Sequence, residues 1–119
     1  MFNWIMYLQL AKDLIKRTDE ASQRSAVSRA YYAAFCSARN RLRDREGATI
    51  PKTSAAHSAV WDEFQSSAEI RRRQIGQLGH RLRHARGRVD YDDNVPGLSQ
   101  LAEDAMEKAD KLISILLSL

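Results

Sequence analysis

An all-α fold of four to five helices in an up-and-down bundle is what this sequence predicts, and three observations predict it. No stretch alternates apolar and polar residues at the two-residue period of a half-buried strand. Apolar residues recur instead at three- and four-residue intervals through most of the 119 residues. The two prolines, Pro51 and Pro96, both fall in breaks between those stretches.

The first element runs from Phe2 to Arg17, with Ile5, Leu8, Leu14 and Ile15 at helical spacing. A long second helix is expected from Ser22 to Arg45, its apolar face marked by Val27, Tyr31, Ala34, Phe35, Ala38 and Leu42. Gly47 follows as a stop. Thr53 or Ser54 is placed to cap a third helix carrying His57, Val60, Trp61 and Phe64. The fourth carries Ile75, Leu78, Leu82, Ala85 and Val89. After the break at residues 92–97, a final helix from about Leu98 carries Leu101, Ala105, Ala109, Leu112, Ile113 and Leu116. The stripes predict that Val27, Tyr31, Phe35, Leu78, Leu82, Leu101, Ala105 and Leu112 are mainly buried.

Size and composition fit one domain over residues 1–119 with a core of its own. Apolar residues make up 44% and charged residues 29%, an ordinary globular balance. One cysteine, Cys36, excludes an internal disulfide framework and suits a reducing compartment. The apolar N-terminus has its charges after the apolar part and no small-residue cleavage site, so it does not read as a signal peptide. The final apolar run is too short to span a bilayer. A cytoplasmic protein without a membrane partner is expected.

The net charge of +4 is distributed unevenly. Seven arginines and two histidines fall between Arg71 and Arg88 with no acidic residue among them, and Asp90, Asp92 and Asp93 then bracket Tyr91. Fourteen of the nineteen basic residues are arginine, whose planar fork suits phosphates and carboxylates. A solvated helix face is the ordinary reading of such a run; a track for a polyanion is the functional one. Gly76 and Gly79 interrupt this helix at a cost of roughly 1 kcal/mol each relative to alanine. They mark a tolerated defect, a close helix contact, or backbone opened toward a ligand or partner helix.

His80 and His84 share a helix face. They lack the glutamate of a His-Glu-x-x-His signature and stand among arginines, so no metal site and no cofactor are expected. Arg73 and His80 lie about two turns apart on nearly one face. Arginine with histidine is what RNA cleavage without metal requires, one group steadying the phosphate and the other moving protons.

"RSAVSRAYYAAFCSARNRL" (24–42), "TSAAHSAVWDEF" (53–64) and "LRHARGRVDYDD" (82–93), in that order, resemble the HEPN domain over most of the chain. The resemblance implies a small helical bundle, often dimeric. It also implies either a metal-independent ribonuclease of toxin–antitoxin or defence type, or a non-catalytic partner of a small nucleotidyltransferase. The active branch carries arginine, four to six residues, then histidine. Here the position five residues after Arg86 is Tyr91, and the chain resembles the branch with an Arg-x-x-x-Asp-Tyr-Asp signature. A tyrosine with its ordinary pKa near 10 is a poor base at neutral pH.

The site expected from this resemblance has Arg86 on the phosphate, His80 or His84 moving protons and Tyr91 orienting the substrate. Arg29, Tyr32, Arg73, Arg83 and Arg88 would hold RNA or phosphate around it. The Asp-Tyr-Asp turn would keep Arg86 in register. Two copies would bring these helix ends together, with Gly76 and Gly79 permitting close approach. The rival reading is a non-catalytic interaction module that dimerises or pairs with a nucleotidyltransferase. Tyr31 is expected in the core, Tyr32 at a boundary, His57 as a satisfied boundary residue and Cys36 as a small buried one.

Overall fold

The computed structural model describes residues 1–119 as five helices with no strand: α1 Ile5–Leu14, α2 Glu20–Arg45, α3 Ala55–Gln65, α4 Ile70–Tyr91 and α5 Leu98–Ser118. Local chemistry sets the boundaries. Asn3 Oδ1 accepts from the Ile5 N–H, so α1 begins later than its apolar spacing suggests. α2 begins two residues earlier than expected because the Asp19 carboxylate accepts from the Ser22 N–H at 2.9 Å, an N-cap. Glu69 caps α4 in the same way, accepting from the Arg71 and Arg72 N–H groups.

Gly47 and Gly97 take the left-handed conformation at φ +69° and +67°. Gly47 lets the Ala48 N–H return to the Leu42 carbonyl and close α2, and Gly97 turns the chain into α5.

α2 is the spine of the up-and-down bundle. At 26 residues it is about 39 Å long, close to the 41 Å long axis of the molecule, and it packs against all four other helices. Small side chains make that possible: Ala26, Ala30, Ala33, Ala34 and Ala38 are fully buried along it. Trp61, Tyr31 and Phe64 are the largest fully buried side chains, and Cys36 is buried as well. Of the eight residues expected in the core, Val27, Tyr31, Phe35, Leu82, Ala105 and Leu112 are buried. Leu78 and Leu101 are only half-buried against it. Leu101 opens onto a depression between α4 and α5, which accounts for its exposure.

Two of the three glycines of α4, Gly76 and Gly79, are spent inside the chain. A methyl group on Gly79 would lie 2.1 Å from the Trp61 ring, and one on Gly76 would lie 2.5 Å from the Gln65 backbone nitrogen. They seat α4 directly on α3. The expectation that they open the helix to a ligand or a second copy is therefore corrected in favour of the close helix contact.

Candidate functional site

Arg86, just over a turn before the end of α4, points toward α2. Its guanidinium lies 5.3 Å from the centre of the Tyr31 ring and 5.7 Å from that of Tyr32. The side chain is 12% exposed and its one carboxylate partner is Asp90, at 3.6 Å. The Ser28 hydroxyl donates to the same Asp90 oxygen at 3.4 Å. Nε of Arg86 is buried without a hydrogen-bond partner, an arrangement that costs about 1–3 kcal/mol. On the other side, Arg29 stands 4.9 Å from the Tyr7 ring and 5.7 Å from Tyr32. Two guanidiniums thus stand at one tyrosine ring, held by cation–π attraction against their mutual repulsion.

Behind them runs a chain of polar contacts inside the aromatic core. The Trp61 indole N–H donates to the Tyr31 hydroxyl at 3.1 Å, and that hydroxyl meets His57 Nδ1 at 2.6 Å. Because indole only donates, the Tyr31 hydroxyl hydrogen is free for Nδ1, which leaves the His57 ring proton on Nε2. The His57 ring also stacks on Phe35 at 4.2 Å. Burial pushes the Tyr31 hydroxyl up to about 12, against the Trp61 hydrogen bond and the charges of Arg86 and Arg83. Burial, then the nearby Arg86 and Arg83 charges, pull the imidazole of His57 below its ordinary value. His57 is consequently a neutral ring at neutral pH.

The expected site residues divide between two faces of α4. Five positions of helix turn Tyr91 about 140° away from Arg86. Tyr91 is the last residue of α4 and 77% exposed. His84 is exposed, and with His80, Arg83, Gly87 and Arg88 it borders an open cleft of about 450 Å³. His80 bonds Asp62 of α3 at 2.9 Å. Arg83 stands between the faces, close enough to bias both Tyr31 and His57. Arg73 is not with the others. It lies about 20 Å from Arg86 along the helix and donates to the Ser67 and Ala68 carbonyls, closing the α3–α4 turn.

Two participants escaped the sequence reading. Arg24 of α2 donates to the carbonyls of Val89 (2.9 Å), Asp92 (2.7 Å) and Asp93 (2.9 Å), and so ties down the C-terminal end of α4. Ser28 holds Asp90. The available signal was their spacing: Arg24, Ser28 and Tyr31 recur at i, i+4 and i+7 and lie on one face of α2.

Fold and site together define a small all-helical domain with a cluster of arginine and tyrosine side chains between its second and fourth helices. The sequence model of the HEPN domain matches residues 6–119, and the chain belongs to that family. No curated protein and no solved structure matches it. HEPN domains are generally associated with nucleotides and RNA, and often dimerise. No helix is long and apolar enough to cross a membrane.

Proposed function

We propose that this domain binds RNA or nucleotide phosphate at the Arg29–Tyr32–Arg86 cluster. The observation that carries the reading is the pair of guanidiniums over Tyr32, accompanied by one carboxylate, Asp90. An arriving phosphate supplies the acceptors this cluster lacks, and arginine forks match its oxygens. The half-buried ring of Tyr32 offers a face for a base. Arg83 and Arg88 extend the positive surface along α4.

The cleaving form of this reading is a metal-independent endoribonuclease of toxin–antitoxin or defence type. It sets Arg86 on the phosphate, His80 or His84 on proton transfer and Tyr91 on the substrate. Within one chain His80, His84 and Tyr91 turn away from Arg86, so this form draws them from a second copy across a two-fold axis. The test is binding of labelled single-stranded RNA at low salt, beside incubation of mixed RNA in EDTA. Wild type should bind, with affinity falling steeply as salt rises, and Arg86→Ala should lose most of the affinity. Salt-independent binding, or none, would leave the arginines as a solvated face.

A second reading, a non-catalytic interaction module, is favoured by one observation. Phe2, Met6 and Leu10 stand exposed at four-residue intervals on the outer side of the N-terminal segment and α1. That stripe is a candidate contact for a second copy or for a small nucleotidyltransferase. Light scattering on wild type and Met6→Asp tests the first; a monomer throughout removes the homodimer.

A further inference from the structure

The far side of His57 borders a second basic cleft, of about 380 Å³, between α2, α3 and their connection. Its floor is the stacked pair of Phe35 and His57. Arg39 and Lys52 stand on its rim, and neither forms an ion pair with a carboxylate. The Arg39 guanidinium lies between the rings of Trp4 (5.6 Å) and Phe35 (5.9 Å), and its Nε donates to Asn40. Arg43 also lines the cleft, but it is held by two hydrogen bonds to Asp44, which neutralise each other's charge. Two unpaired cations over an aromatic floor are the elements by which single strands are bound, charge for the backbone and rings for the bases.

A row of ring contacts connects this cleft with the Arg86 cluster. From Tyr32, the ring of His57 follows at 6.1 Å, edge on, and Phe35 lies 4.2 Å beyond it. Arg29 and Arg39 stand ten residues apart on α2, about 15 Å along its axis. That span is several times the rise of about 3.4 Å between stacked nucleotides along one strand, so one mononucleotide does not reach both.

We infer that the Arg39–Lys52 cleft is a second phosphate-binding subsite and that the ligand is a single strand of RNA lying along α2 past His57. The inference rests on the reading of the Arg86 cluster as the first subsite. It assigns function to residues outside the basic run of α4, and it selects a polynucleotide over a mononucleotide.

The test is fluorescence anisotropy with a labelled single-stranded RNA decamer and, separately, competition by adenosine 5′-monophosphate. Arg39→Gln with Lys52→Glu should weaken decamer binding about tenfold, the equivalent of one charge-assisted hydrogen bond. It should lower the log–log salt slope by about 1.4, at about 0.7 per contact. Monophosphate competition should be unchanged. Lys52→Glu alone, at an exposed residue without an ion-pair partner, should weaken the decamer with no change in Tm, which separates binding from folding. If both variants bind like wild type while Arg86→Ala does not, the second subsite falls and the first stands. If they weaken and Arg86→Ala does not, the first falls and the second stands. A wild-type protein that binds no decamer at low salt overturns both.

Discussion

The Tyr31 hydroxyl and the His57 imidazole meet at 2.6 Å, directly behind Arg86, and each has its acid–base character altered by that position. Tyr31 is held protonated by burial and His57 is held neutral by burial and by two arginines. The pair donates and accepts without carrying charge, so it adds no counter-charge to Arg86 and Arg83.

A pH dependence of stability follows. The folded-state pKa of His57 lies below its ordinary value of 6.5, so the unfolded chain takes up this proton first. The His57 contribution is intact above about 6.5 and is lost as pH falls from there through the depressed folded value. An NMR titration of the His57 ring should give a midpoint below 6.5. Arg86→Ala should raise that midpoint, because it removes one of the opposing charges.

The glycines of α4 should respond in opposite directions. Gly79→Ala forces a methyl group into the Trp61 ring and should destabilise by about 3 kcal/mol, the upper range of overpacking. Gly87→Ala meets open space and should stabilise by about 0.5–1 kcal/mol through helix propensity. Denaturant midpoints for the two variants decide it.

Arg24→Ala should release the end of α4. Three carbonyls lose a charged donor, and a loss of about 2 kcal/mol is expected. Amide exchange should accelerate first at residues 88–92. Arg24→Lys should recover only part of this, since a single ammonium cannot reproduce the two-nitrogen reach of the fork.

Asp90→Asn keeps the shape beside Ser28 and removes the carboxylate charge facing Arg86. Anion binding should tighten several-fold. Stability should change by less than about 1 kcal/mol, because a partly exposed ion pair is weak and a negative charge at a helix C-terminus is itself unfavourable. Tightening without loss of Tm is the expected pair of results, read from anisotropy and thermal melts.

The helices were legible because their cause is local. The stripe of Val27, Tyr31 and Phe35 and the stop at Gly47 each depend on residues within a turn or two. The arginine run was legible only as composition. Arg72 pairs with Glu46 at 2.8 Å and lies over Phe64, and Arg71 reaches Ser118. Those partners come from the far ends of other helices, and nothing near Arg71–Arg73 announces them. Arg71 and Arg72 are therefore ties to other helices, Arg73 closes the α3–α4 turn, and only later arginines of the run border the candidate site. His57 reads by spacing as a boundary residue and is one, half-buried and satisfied by Tyr31. Its position between the Arg39–Lys52 cleft and the Arg86 cluster depends on Tyr31, 26 residues earlier, and on Arg86, 29 residues later.

The chain has two tryptophans: Trp61 touches Tyr31 and Phe35, and Trp4 touches Tyr7. Trp61 is wired through its indole N–H to Tyr31, beneath Arg86, while Trp4 lies beneath Arg39. The molecule thus contains its own pair of optical probes. Quenching or a shift of Trp61 emission reports the environment of the Arg86 cluster, and Trp4 emission reports that of Arg39. With Trp4→Phe or Trp61→Phe, a single tryptophan remains at a time, and ligand binding near it is read without any label.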